Sequence, residues 1–282
     1  MLAGCCCGRL CPAVPCGGCR VGSLRVASWN VNSIRVRRER LLRWLEAHQP
    51  DVVCLQELKA TEAQFPFEAI RAAGYDGPVL GQKTYNGVGV LARRGIALED
   101  VRAGLDDGTD DASARLLSVR AADTRIITVY VPNGQVVGSE KYAFKLEWFR
   151  RLRAYLERHY RTSEPLVLCG DFNVAPDPRD VDRPKEWESS VLFHPDVRAA
   201  LREVTDWGLT DTFRLHHQEG GFYTWWDYRM LSFPKNDGLR LDLILATKPL
   251  AARCRETSID RNERKGKLAS DHVPVLATFA EN

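Results

Sequence analysis

Residues 166–173 read Leu-Val-Leu-Cys-Gly-Asp-Phe-Asn, an apolar run that stops on a glycine, a carboxylate and, two positions later, an amide. The run is too short for a helix and reads as a buried strand whose end presents Asp171 and Asn173. Taken as extended backbone, residues two apart point the same way, so the carboxylate and the amide would aim at a common point. The same pattern recurs along the chain. Leu24 to Ala27 precedes Trp29-Asn30, Val52 to Leu55 precedes Gln56-Glu57, and Ile126 to Val129 precedes Tyr130-Val131-Pro132-Asn133. Leu241 to Ala246 surrounds Asp242, and Ser270-Asp271-His272 introduces a last run. A sheet of such strands carries carboxylates, amides, one Tyr and one His along one rim. That inventory suits a divalent cation and a phosphate ester, because Mg2+ takes oxygen ligands and substrate phosphate oxygens while Asp, His and amide groups position water.

Between the strands, helical spacing predicts a helix capped by Ser33, with Ile34, Leu41, Leu42 and Leu45 inward, Arg35, Arg37, Arg38 and Arg40 mostly outside, and Pro50 ending it. A helix from near Ser139 sets Tyr142, Leu146, Phe149, Leu152 and Leu156 on one face. Another, from Pro195 to Trp207, turns Val197, Leu201 and Val204 inward and stops at Gly208. Strands are expected over Gly87 to Leu91, Arg125 to Val131 and Val273 to Phe279, and residues 174–190, with three prolines and many charges, read as a surface loop. No repeat or linker interrupts this order, so residues 23–282 read as one domain.

A hydrophobic content of 44% over 282 residues is ample for a buried core, so disorder is not the default for the chain. Net charge is only +3, so attraction to a polyanion must come from clustering. From Tyr228 to His272 ten basic residues face six acidic ones, a local basic excess beside the last two motifs. Six of the nine cysteines fall within the first 19 residues; of the rest, Cys54 and Cys169 sit in strand-like runs and read as small buried hydrophobes of a reducing compartment. Cys16-Gly17-Gly18-Cys19 has the spacing of a metal knuckle without a second ligand pair. Leu2-Ala3-Gly4-Cys5 looks like a lipobox but lacks the charged and apolar regions of an export signal, and no stretch is apolar enough to span a membrane. Residues 1–22 read as a disordered tail or a mis-set start.

Each candidate residue also has a plainer reading. Asp171 alone would cap a turn, His272 alone would be a satisfied polar residue, and Tyr130 alone would be core as readily as chemistry. Their neighbours change the weighing: Asp242 begins a neighbouring strand and could hold the His272 ring in one tautomer. Glu57 ends an apolar run, where a charge is unfavourable unless it faces a rim and binds a metal. Trp225 and Trp226 either pack or offer a stacking platform, and Arg261 to Lys267 is a solvated charge run or a phosphate contact.

In this order the motifs resemble the exonuclease III family of apurinic/apyrimidinic endonucleases, within the endonuclease/exonuclease/phosphatase superfamily. The resemblance runs from about Leu24 to Phe279. It is carried by Ser28-Trp29-Asn30-Val31-Asn32-Ser33-Ile34-Arg35, Leu55-Gln56-Glu57, Tyr130-Val131-Pro132-Asn133-Gly134 and Gly170-Asp171-Phe172-Asn173-Val174-Ala175. Tyr223-Thr224-Trp225-Trp226-Asp227-Tyr228-Arg229, Leu239-Arg240-Leu241-Asp242 and Ser270-Asp271-His272-Val273-Pro274 complete it. It implies an α/β fold, a four-layer α/β/β/α sandwich of two packed β-sheets flanked by helices. It also implies hydrolysis of DNA phosphodiesters with Mg2+, or with Mn2+ in its place: incision 5′ to abasic sites and 3′-5′ exonuclease or 3′-end cleaning on duplex DNA. A monomer in the bacterial cytoplasm, joining the nucleoid during repair, goes with that activity.

Carried over, Glu57 is the main metal ligand with Asn30 and Asp271 close by. Asp171 would orient or deprotonate water, Asn173 and His272 would contact the phosphate, Asp242 would pair with His272, and Tyr130 would contact the phosphate or assist the leaving group. Trp225, Leu239 and Leu241 would line a pocket for a flipped-out abasic sugar, whose unstacked state makes extrusion cheaper. Asn133, Lys141, Lys145, Arg229 and Lys265 would contact the substrate. Two positions depart from the pattern: Asn32 stands where some relatives have a carboxylate, and Arg183 to Trp187 lacks the Asn residues that some aim at the phosphate. The competing readings are a phosphodiesterase acting on RNA or a small ester, and a non-catalytic DNA-binding homologue.

Overall fold

The computed structural model describes residues 22–109 and 113–281. The cysteine cluster of the first 19 residues, with its metal-knuckle spacing, and the lipobox-like start lie outside the described residues. In chain order the strands are β1 (Ser23–Asn30), β2 (Val52–Gln56), β3 (Tyr75–Asp76), β4 (Val79–Leu80), β5 (Val88–Arg93), β6 (Leu98–Ala103) and β7 (Leu116–Ala121). They continue with β8 (Thr124–Tyr130), β9 (Leu166–Asp171), β10 (Leu209–Asp211), β11 (Asp242–Thr247), β12 (Cys254–Ile259) and β13 (Val275–Ala280). One sheet runs β12-β13-β1-β2-β5-β3, with β4 also on β5; the other runs β10-β11-β9-β8-β7-β6.

Strand alternation explains why the apolar runs are continuous. Val26, Val52, Cys54, Ile126, Val167 and Cys169 meet in a core between the two sheets. Their neighbours Ala27, Val53 and Leu55 face the opposite way, onto Ile34, Leu41 and Leu45 of the helix Ile34–His48. Ile127, Val129, Leu166 and Leu168 pack outward against Phe149, Leu152 and Leu156 of the helix Glu140–His159. The central strands are therefore buried on both faces, and the molecule is the expected four-layer sandwich.

The parallel pairs set the rim. β1 lies parallel to β2, and β8 parallel to β9, each pair joined by one of the two long helices. All four strands end at the same edge and deliver Asn30, Gln56-Glu57, Tyr130 and Asp171 there. β11, antiparallel to β9, begins at that edge with Asp242 opposite Asp171.

Several expectations need correction. Ser33 precedes the first helix but its side chain caps nothing. Instead its backbone N–H and that of Ile34 donate to the carbonyls of Glu57 and Leu58, so the loop after β2 satisfies the helix start. Ser139 does cap its helix, accepting from the Tyr142 N–H. Residues 174–190 are not simply a surface loop: Val174, Ala175, Val181 and Asp180 are buried. Asp180 sits between the guanidinium groups of Arg240 and Arg214, which anchor the segment. Leu42 and Leu146 are half-buried rather than core. Arg37 and Arg40 turn inward onto loops, while Arg35 and Arg38 are exposed.

Candidate active site

The rim assembles a chain of polar contacts from both sheets. The Asn30 amide, fully buried at the end of β1, donates to Glu57 Oε1 at 2.8 Å and to Asp171 Oδ2 at 2.8 Å, joining the sheets. Its Oδ1 accepts the Asn32 N–H at 3.0 Å. Asn30 thus clamps two carboxylates through its Nδ2, while its Oδ1 accepts one N–H and keeps a second lone pair.

Asp171 and Asn173 converge, though not by strand alternation. Asn173 has φ 51°, in the left-handed region, and this turn folds its N–H back onto Asp171 Oδ1 at 2.8 Å. Its side-chain Nδ2 donates to the Val131 carbonyl at 2.9 Å and to Asp171 Oδ2 at 3.3 Å, and its Oδ1 accepts from Asn133 at 3.2 Å. Asn173 therefore orients the carboxylate, and its amide protons are already taken. Asn32, Glu57 and Lys59 are left-handed too, with φ of 43°, 51° and 50°. Non-glycine residues in that conformation carry backbone strain of the kind that gathers at functional sites.

Burial pushes the Asp171 carboxyl up to about 7, with His272 pulling it down and Asp242 and Glu57 adding to the rise. His272 Nδ1 pairs with Asp242 Oδ2 at 2.7 Å, and its Nε2 lies 3.6 Å from Asp171 Oδ2. Burial opposes the charged ring, but Asp242 and Asp171 outweigh it and raise its pKa to about 10. The ring is an imidazolium held between two carboxylates. Asp242 is placed by Thr224, whose hydroxyl accepts the N–H groups of Leu241 and Asp242 at 2.9 and 3.0 Å. Burial, Glu57 and Asp171 together hold the Tyr130 hydroxyl protonated, and Arg115 lies over its ring at 5.0 Å.

Asp271 reaches Glu57 only through intermediaries. Its Oδ1 accepts Asn32 Nδ2 at 2.8 Å, Asn32 Oδ1 accepts Lys59 Nζ at 2.5 Å, and Lys59 pairs with Glu57 Oε2 at 2.8 Å. Its other oxygen accepts Trp225 Nε1 at 3.1 Å. Among the described residues, Glu57, Asp171 and His272 bring donor atoms within 4.8 Å of one another. His272 Nδ1 is already taken by Asp242, and the carboxylates supply the oxygen donors. Glu57, Asp171, Asp242 and Asp271 face Lys59 and His272, with the Lys145 ammonium also acting on Asp171, a formal excess of one negative charge. Hard oxygen donors with that excess fit a divalent cation.

The expected substrate contacts separate into three groups. Asn133 and Lys141 line an open cleft of about 540 Å³ beside Tyr130, together with Arg115, Tyr85 and Phe144. Arg229 is exposed and paired with Asp227, and the exposed Lys265 donates to Asn262, so both remain at the surface. Lys145 is a correction: it is fully buried and donates to the carbonyls of Asn133, Asn173 and Val191 at 3.0, 2.7 and 2.7 Å. Burial pulls its pKa down to about 7, yet three carbonyl acceptors use three N–H bonds, which only the ammonium has. It braces the Asn133 and Asn173 loops and reaches no phosphate. Leu239 and Leu241 are likewise core, with 0% and 1% exposure, so neither presents a pocket wall. Trp225 is half-buried, and Trp187 meets its ring edge-on at 6.3 Å.

Sequence reading overlooked Lys59, Thr224 and Trp187. Lys59 and Trp187 left a signal, one as a charge two residues after Glu57 and the other as a large aromatic in a polar loop; Thr224 left none.

Comparison with known proteins gives one consistent result. The Endonuclease/Exonuclease/phosphatase family model matches residues 27–272. Exodeoxyribonuclease III of Haemophilus influenzae is 32% identical over 268 residues, covering 91% of this chain and 100% of that protein. An AP endonuclease from Archaeoglobus fulgidus superposes with a TM-score of 0.88 at 38% identity, over 91% of this chain and 99% of that one. A 3′ phosphatase from Neisseria, bound to a product DNA hairpin, superposes with a TM-score of 0.87 at 37% identity and the same coverage. The rim geometry, the matched residues and these likenesses agree: the chain belongs to the endonuclease/exonuclease/phosphatase family and is a nuclease within it.

Proposed function

We propose that this protein is a DNA repair nuclease that hydrolyses phosphodiesters of duplex DNA with Mg2+, or with Mn2+ in its place, cutting 5′ to abasic sites and trimming or cleaning 3′ ends. The observation that carries the reading is the Asp171–His272–Asp242 array meeting Glu57 at one rim. It has a base, a fixed positive charge and a carboxylate-rich cation site within one cluster.

Asp171, raised by burial to about 7, is matched to taking a proton from water near neutral pH. Asn30 and Asn173 hold its two oxygens, leaving one orientation for that transfer. His272, kept charged and aimed by Asp242, stabilises negative charge on the phosphoryl group as it develops. Tyr130, held protonated, supplies a proton donor at the leaving oxygen. Glu57, with Asn30 and Asp271 close by, would hold the metal, which would supply Lewis-acid stabilisation of charge on the phosphate oxygens. The cleft with Asn133, Lys141 and Arg115 offers positive and aromatic surface for a nucleic-acid strand, while Trp225 fits an unstacked sugar.

In this reading residues 23–282 act as one domain and as a monomer. Among the described residues no helix is long and apolar enough to cross a membrane, and the reading goes with work in the bacterial cytoplasm, at the nucleoid during repair. The deciding experiment is cleavage, with Mg2+ and with EDTA, of a labelled duplex carrying one internal abasic-site analogue, resolved at single nucleotides. A metal-dependent cut 5′ to the lesion is the expected product. A ladder from the 3′ end alone would restrict the activity to an exonuclease, and intact DNA with several metals would overturn the reading.

A further inference from the structure

Arg37 lies on the helix face that the sequence suggests is solvated, yet its guanidinium points at the rim. Nη1 donates to the Asn32 carbonyl at 2.6 Å, and Nη2 donates to the Tyr228 hydroxyl at 2.8 Å and the Ala269 carbonyl at 3.0 Å. These acceptors belong to three separate loops: the one after β1, the aromatic loop and the one leading into β13. Tyr228 closes the ring, donating to the same Ala269 carbonyl at 2.9 Å, with Arg264 over its ring at 4.7 Å. Just inside this clasp are Asn32, which holds Asp271, and the chain from Ala269 to Asp271 and His272. Arg37 Nε is buried without an acceptor among the described residues, a cost its other three bonds offset.

We propose that Arg37 is a positioning residue for phosphodiester hydrolysis: it locks the three loops that place Asn32, Asp271 and His272, and so sets the metal edge and the imidazolium against Asp171. This rests on the nuclease reading above. The planar guanidinium spreads its donors over two nitrogens in fixed directions, Nη1 toward Asn32 and Nη2 toward Tyr228 and Ala269, whereas the single nitrogen of a lysine in its place would have to serve all three from one point. The clasp acts through other side chains and touches no reacting atom.

The test compares Arg37→Ala, Arg37→Lys and Tyr228→Phe with the wild-type chain. In Arg37→Ala, kcat on the abasic duplex should fall by about 10-fold to 100-fold with KM little changed, the scale of a small misplacement of reacting groups. Mn2+ half-saturation, read without DNA from the loss of the free-ion electron paramagnetic resonance signal, should rise several-fold. Arg37→Lys should recover only part of both, and Tyr228→Phe should show the same pattern more weakly. A lowered Tm with kcat and Mn2+ binding equal to wild type would make Arg37 merely structural and overturn the proposal. If Arg37→Ala fails to fold, parity with wild type in both other variants overturns it equally. An inactive wild-type enzyme would sink the nuclease reading instead, and the Mn2+ measurement would still decide the role of Arg37.

Discussion

Asp171 and Asp180 lie nine residues apart and are equally buried, at 1% and 0% exposure, but their surroundings are opposite. Asp180 is met by Arg240 Nε at 2.6 Å, by Nη2 of the same residue at 3.1 Å, and by Arg214. Its charge is neutralised on the spot, and Arg240 also takes Asp211. Asp171 has amide donors, one imidazolium shared with Asp242, and further carboxylates nearby. Charge left unbalanced marks the place where a cation and a phosphate belong, whereas charge fully paired holds the fold together.

The sharpest break in this contrast is metal removal. With EDTA in place of Mg2+, cutting of the abasic duplex should become undetectable on the gel, because the rim's excess negative charge then repels the phosphate. Persistent cutting would mean that Lys59 and His272 already balance the site. Next, Asp171→Asn keeps the shape but removes the base, and turnover should fall by about 10^3-fold with duplex binding by fluorescence anisotropy retained. Full activity there would reassign the proton transfer.

Asp180→Asn should do the reverse, lowering unfolding free energy in urea by about 3–5 kcal/mol, since it strips a partner from buried Arg240, while kcat per folded molecule stays the same. A loss of kcat at unchanged stability would merge the two regions into one functional network. Asp107 offers a smaller version of the satisfied case. The Arg151 guanidinium holds its carboxyl well below the usual carboxylate range. A depressed folded pKa contributes stability above the unfolded carboxylate value of about 4 and loses it as pH falls through the folded one. Asp107→Asn should therefore lower Tm at pH 7 and flatten its decline below about pH 4; an unchanged acid limb would show that the pair is not coupled to folding. Least, Lys141→Ala should reduce the salt dependence of duplex affinity by about one phosphate contact. Lys145→Met should lower Tm and leave that slope alone. Equal slopes in both variants would put Lys141 outside the interface.

Much of the rim was legible because each piece is local. An apolar run that ends on Asn30, Glu57, Tyr130 or Asp171 announces a doubly buried strand and a polar tip without any knowledge of its partners. β6 and β12 were not legible, since they lie at sheet edges and carry exposed charges in place of an apolar run. Lys145, Leu239 and Leu241 were misplaced for a related reason. A lysine on a helix next to substrate loops, or a leucine beside a catalytic Asp, gives no sign in sequence of which way its side chain turns, and here all three turn into the core.

By itself the sequence determined which apolar runs end on polar groups and the chemical inventory they carry, because hydrophobic periodicity and end groups act over a few residues. Only the tertiary structure decided what those groups do. The Asn30 clamp spans 141 residues to Asp171, the Trp29 indole reaches the carbonyl of His272 across 243, and Arg37 reaches Ala269 across 232. Contacts at such separations exist only once distant strands have come together, β1 beside β13 within one sheet and β1 against β9 across the two, and they turned one solvated arginine into a clasp.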